Sequence, residues 1–134
     1  MIEERIKSKI SDILGIKKEE LTTETDLIRE LEAESIDMLE IAISLEKEFG
    51  IKIDENSLFL KAFRYYLEEA HEKNTEEVSY LKQKFPFLDE KRIRELIDEA
   101  KSNIVPSIKI KDLICYVQWA INRNYQEKKE HKEI

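Results

Sequence analysis

Apolar residues recur at three- and four-residue spacing along almost the whole chain, and only two glycines and two prolines interrupt them. That spacing is the period of a helix with one buried face, and no segment sustains the alternation of a strand. The fold class read from this pattern is all-α. At 134 residues the chain is about one domain on the usual scale of ~100–200 residues. Its 41% apolar content is enough for one modest core.

Ile2, Ile6, Ile10, Ile13 and Leu14 place a helix over 2–14, and Gly15 follows where a left-handed C-cap is expected. A polar connection spans 16–34, with Leu21, Leu27, Ile28 and Leu31 as the anchors expected to hold it to the core. Connections of this length between helices are usually functional or internally packed. A second helix is expected from Ile36 to Phe49, with Ser35 as its N-cap and Gly50 as its stop. Met38, Ile41, Ala42, Leu45 and Phe49 form its core stripe. On another face Ile36, Glu40, Ile43 and Lys47 alternate apolar with charged. Such a strip suits a partner's groove, or else consists of isolated surface hydrophobes.

Residues 57–107 read as a helical insertion. Phe59, Ala62, Phe63, Tyr66, Leu67 and Ala70 make an aromatic stripe on one helix ending near Asn74. Val78, Leu81 and Phe85 mark a shorter helix begun by Thr75 and stopped by Pro86. Ile93, Leu96, Ile97 and Ala100 mark a third, capped by Asp89 and closed before Pro106. The last helix carries Ile110, Leu113, Ile114, Val117 and Ile121, with Ser107 or Lys109 near its start, and 126–134 is read as a frayed charged end.

The residue inventory excludes several chemistries. One cysteine allows no intramolecular disulfide and no thiolate zinc cluster, which fits a reducing compartment. His71 and His131 cannot build a histidine triad or a multi-histidine metal site. Gly15 and Gly50 cannot supply a phosphate-cradling loop. The longest apolar run, Leu113–Val117, is far short of the ~20 residues of a membrane span, and no signal peptide is visible. A formal charge of −7 lacks the basic stripe of a nucleic-acid binder. Cys115 is expected as an inert buried thiol and His71 as a solvated helix residue. No catalytic residues and no metal ligands are assigned. The expectation is a monomeric cytoplasmic protein.

The stretch from Leu21 to Ile53, LTTETDLIRELEAESIDMLEIAISLEKEFGIKI, resembles the acyl carrier protein family. Glu34-Ser35-Ile36, followed by Asp37, stands where that family has its acid-serine-aliphatic attachment motif at the start of the second helix. Thr25-Asp26-Leu27 with Leu31 before it, and Leu45-Glu46-Lys47-Glu48-Phe49-Gly50 after it, are in register. ISDILGIKKEELT at 10–22 resembles the family's first helix, and IKIKDLICYV its last.

The resemblance implies a four-helix bundle, here with an inserted helical segment, and a 4′-phosphopantetheine arm on Ser35. Within a single domain, 1–57 would hold the first two core helices and the serine, 58–107 the insertion, 108–125 the last core helix and 126–134 the tail. The partners it implies are a phosphopantetheinyl transferase and acyl-processing enzymes of the ketosynthase, reductase, dehydratase or acyltransferase type. Glu34, Ile36, Asp37, Glu40, Ile43 and Lys47 are the expected recognition residues. The implied role is that of a carrier, not an enzyme, in fatty-acid-type or polyketide-type synthesis, within a specialised lipid pathway. A carrier of aminoacyl or aryl groups and an unmodified helical adaptor are the alternatives.

Three residues depart from the family pattern: Glu32 where glycine is frequent, Glu34 where aspartate is commoner, and Lys47 on a face that basic partners approach. The insertion itself is read in three ways: as structure only, as a lid or enlargement of the acyl cavity, or as a docking surface. Charge divides unevenly between the halves. Residues 1–57 hold 8 basic and 16 acidic side chains, and 58–134 hold 15 and 14. The acidity around Glu30, Glu32, Glu34, Asp37 and Glu40 would steer basic enzymes toward the carrier half.

Overall fold

A computed structural model describes residues 1–133, with side chains through residue 129. Seven helices and no strand are formed among them: α1 (Ile2–Leu14), α2 (Ser35–Phe49), α3 (Glu55–Leu58), α4 (Phe63–Glu72), α5 (Glu77–Lys84), α6 (Glu90–Lys101) and α7 (Ile110–Glu133). The all-α bundle with an inserted helical segment read from the sequence is the architecture found. Helix α1 packs on α2 and α7, α3 rests on α7, and α4, α5 and α6 pack in succession.

The apolar stripes explain this arrangement. Ile6 and Ile10 of α1, Ile41 and Leu45 of α2, and Leu113 and Val117 of α7 are fully buried together. Phe63, Leu67, Leu81, Phe85, Ile93 and Leu96 of the inserted helices join the same buried cluster. Phe87 provides one seam, its ring 4.9 Å from that of Tyr116 on α7. The Tyr116 hydroxyl in turn accepts the Asp54 N–H at 3.0 Å. Both glycines stop helices in the left-handed region, Gly15 at φ 67° and Gly50 at φ 63°.

The long connection after α1 is internally organised. A short 3-10 turn occupies Lys18–Glu20. Farther on, Leu27 donates its N–H to Ile108 O at 2.8 Å, Ile110 donates to Thr25 O at 3.0 Å, and Lys111 donates to Thr23 O at 2.9 Å. The connection is thereby stitched to the start of α7. Glu24 sits between Lys111 and Lys109, at 2.9 and 3.0 Å, and these two ammonium groups hold its carboxyl down at about 2. Leu21 and Leu27 are the buried anchors expected and Leu31 is half-buried, but Ile28 is 37% exposed.

Two expectations are corrected. The aromatic stripe from Phe59 to Ala70 is not one helix, because the chain turns at Phe59–Ala62 and α4 begins only at Phe63. At that corner Leu60 is buried with φ 55°, a left-handed backbone that costs a bulky residue about 1–2 kcal/mol. Helix α5 is capped by Glu76, not begun by Thr75: the Glu76 carboxylate accepts the Val78 and Ser79 N–H groups at 3.2 and 2.7 Å. Helix α7 runs on through the stretch read as a charged end, to Glu133; Ile134 lies outside the described residues. Asp89 caps α6 as expected, accepting the Arg92 N–H at 2.7 Å.

Candidate functional site

Ser35 is placed by a chain of local devices in the preceding loop. Asp26 is buried, and its Oδ1 accepts the N–H groups of Ile28 and Arg29 at 2.9 and 3.1 Å, which starts a turn. The turn closes where Glu32 donates to Ile28 O at 3.2 Å and Ala33 donates to Leu27 O at 2.9 Å. The bond from Glu32 to Ile28 O is the 5→1 bond of an αL cap, whose C′ residue takes the left-handed backbone. Glu32 has φ 52° there. The residue that departs from the family's glycine therefore stands where glycine is conformationally preferred.

Glu34, not Ser35, occupies the N-cap of α2. The Asp37 Oδ2 accepts the Glu34 N–H at 2.9 Å, and the first intrahelical bond runs from Met38 N–H to Glu34 O at 3.0 Å. Ser35 is consequently the first residue inside the helix. Its hydroxyl is relieved of capping duty and its side chain is exposed. The amide groups of this first turn and the helix dipole favour an anion at the position.

Of the residues read as a recognition set, Glu34, Ile36, Glu40, Ile43 and Lys47 are all exposed, and Asp37 is half-buried by its capping role. Ile36 is 64% exposed and Ile43 43%. Leu39, which sequence reasoning omitted, is also 43% exposed; it lies three residues from Ile36 and four from Ile43, so helical spacing alone would have found it. The strip is thus more apolar than alternation of Ile36, Glu40, Ile43 and Lys47 suggests. Lys47 falls in the last turn of α2, where the helix dipole favours a cation.

Ser35 opens on a groove of about 300 Å³. Ile28, Ala33 and Met38 line it from the loop and α2, and Ile108 lines it from the approach to α7. The remaining wall comes from the two ends of the inserted segment: Phe59, Leu60, Lys61 and Arg64 on entry, Val105 and Pro106 on exit. Arg64 ties entry to exit by donating from Nη2 to Ile104 O at 2.9 Å. Arg29 ties the exit to the loop, donating to Val105 O and pairing with Glu99 at 3.1 Å. No spacing in the sequence forecasts this meeting of distant segments at Ser35.

Other sites offer less chemistry. An open hollow of about 600 Å³ between α3, the α5–α6 turn and α7 is floored by Phe87, Tyr116 and Trp119, and Ser35 does not border it. Cys115 is half-buried, and burial followed by the nearby Asp112 charge pushes its thiol up, away from the reactive thiolate. His71 is exposed and lies 3.2 Å from Glu77. Among the described residues no cluster of His, Cys, Asp and Glu is arranged to hold a metal ion, and no helix is long and apolar enough to cross a membrane.

A family profile described as "Phosphopantetheine attachment site" matches residues 4–61. An acyl carrier protein of Nitratidesulfovibrio vulgaris is 38% identical over 55 residues, covering 72% of that protein and 41% of this chain. Another, from the Miyazaki F strain of the same species, is 40% identical over the same extent. An acyl carrier protein of Thermotoga maritima is 39% identical over 54 residues, covering 67% of that protein and 40% of this chain.

Proposed function

The chain belongs to the acyl carrier protein family and carries its phosphopantetheine attachment domain, and from that premise we propose that Ser35 bears the covalent 4′-phosphopantetheine arm. One observation carries this assignment. Residues 4–61 contain five serines, Ser8, Ser11, Ser35, Ser44 and Ser57, and of these only Ser35 is exposed. Ser11 donates to Ile16 O and Ser57 to Asp54 Oδ2, whereas Ser35 stands at the first position of α2 beside an open groove. The residues present therefore fit the group.

The arm's terminal thiol carries the acyl group as a thioester, and the chemistry on that group belongs to partner enzymes. This chain's residues have three tasks. The first turn of α2 presents the hydroxyl to a transferase and accommodates the resulting phosphodiester charge. Ile36, Leu39 and Ile43 offer apolar contact to a docking enzyme. Glu30, Glu34 and Glu40 surround them with negative charge that attracts basic surfaces.

The partners proposed are a phosphopantetheinyl transferase and acyl-processing enzymes of the ketosynthase, reductase, dehydratase or acyltransferase type. The setting proposed is fatty-acid-type or polyketide-type synthesis in a specialised lipid pathway, with the carrier acting as a monomer in the cytoplasm. Incubation with coenzyme A and a broad-specificity transferase, followed by intact-mass measurement, tests the reading. One added arm per chain is expected, and none on Ser35→Ala. No addition with several transferases would instead favour the unmodified adaptor.

A further inference from the structure

We propose that the inserted segment docks the arm: Lys61 and Arg64 act as counter-charges to the phosphodiester on Ser35, and the groove between the two ends of the insertion takes the pantetheine portion. This inference rests on the assignment of the arm to Ser35 and goes beyond it, because it gives the insertion a task at the carrier site.

Glu32 and Glu34 are exposed beside Ser35, and Asp37 is half-buried one turn into the helix. A phosphodiester adds a further negative charge to an already acidic surface. The cations that share its groove are Lys61 and Arg64. Both are exposed, and among the described residues neither forms an ion pair: Arg64 donates from Nη2 to the neutral Ile104 O and keeps its charge uncompensated. The nearby Arg29 is differently placed, being committed to Glu99, Asp26 and Val105 O.

Shape and polarity agree with the charges. At about 300 Å³ the groove is at the small end of the ~300–1,000 Å³ typical of ligand sites, suited to a slender occupant. Its walls include Ile28 and Val105, exposed at 37% and 65%, and the arm's geminal dimethyl group would cover such apolar surface. The corner that sets Lys61 in the wall is held at a buried Leu60 with φ 55°. Backbone strain of this kind persists where surrounding structure over-determines it, and such positions cluster at ligand clamps.

The test uses the arm-bearing full chain, prepared with coenzyme A and a transferase and checked by intact mass, alongside Lys61→Gln and the double variant Lys61→Gln/Arg64→Gln. Proton Overhauser contacts between the arm's geminal methyls and the side chains of Ile28 and Ile108 report docking, and the phosphorus-31 linewidth reports immobilisation of the phosphodiester. Contacts and a broad phosphorus line are expected in the parent chain. In the double variant contact intensity should fall about two- to fivefold, the factor that partly exposed ion pairs support, with Lys61→Gln intermediate. Absence of contacts in the parent, or equal contacts in parent and double variant, overturns the docking proposal while leaving Ser35 as the attachment residue. If no arm is added to the chain, both readings fall together.

Discussion

Arg92 grips Asp112 with two parallel hydrogen bonds, Nε to Oδ1 and Nη2 to Oδ2, each 2.9 Å, with side-chain exposures of only 5% and 1%. The pair joins α6, the last inserted helix, to the first turn of α7. Arg92 Nη2 also donates to Ser107 O and Oγ at 3.0 and 2.9 Å, and Asp112 Oδ2 accepts the Lys109 N–H at 2.9 Å. The return of the chain from the insertion is therefore fixed by a fully bonded, buried charge network. Removing one partner strands a buried charge, so Asp112→Ala should cost about 3–5 kcal/mol. The double variant Arg92→Met/Asp112→Leu should lose much less. Urea unfolding of the three chains checks this, and equal losses in single and double variants would contradict it.

The Glu24 carboxyl, held at about 2 by Lys111 and Lys109, links stability to pH. Its folded value lies below the ordinary 4.5, so its contribution is fully present above about pH 5 and fades as pH falls toward 2. Because the side chain is 60% exposed, solvent screening limits the contribution to under about 1 kcal/mol. Glu24→Gln should be less stable than the parent at pH 7 by that amount, with the gap closing between pH 5 and pH 2. Thermal unfolding across this range measures it.

At Glu32 the left-handed backbone, φ 52°, opposes a side chain. Glycine relieves about 1–2 kcal/mol of that cost and surrenders about 0.5–1 kcal/mol through the freer unfolded chain. Glu32→Gly should thus raise stability by up to about 1.5 kcal/mol, the upper end of the difference of those two terms. A loss of stability would mean that the Glu32 side chain makes a contribution its exposure hides.

Ile36 separates recognition from stability. At 64% exposure its truncation should change stability by no more than about 0.5 kcal/mol. With Ile36 proposed as a contact for a docking enzyme, Ile36→Ala should lower transferase kcat/KM about tenfold, the effect of more than 1 kcal/mol usual for an interface anchor. Steady-state kinetics with coenzyme A distinguish the two. An unchanged kcat/KM would remove Ile36 from the recognition surface.

Much of this was legible from residue order. The bounds of α1, the stripe of α2 and both glycine stops follow from apolar period and end signals that act locally. Ser35 was legible as the proposed attachment residue because its flanks are in register with a family. Its capping role was misread because serine is a preferred N-cap and glutamate is not; the bond that Glu34 N–H donates to Asp37, three residues on, selects the earlier residue. The Phe59–Ala70 stripe looked continuous because no glycine or proline marks the turn, which a left-handed Leu60 makes instead. The groove was beyond local reading altogether. Lys61, Arg64 and Val105 reach Ser35 only through the packing of α4 and the return of the chain after α6.

Peptide mapping of the protein purified from its own cells locates the arm. The peptide containing Glu34-Ser35-Ile36 is expected to carry phosphopantetheine, bare or acylated, and to eject the arm on fragmentation. An unmodified Ser35 peptide throughout the preparation, or the arm found on a different serine, would contradict it.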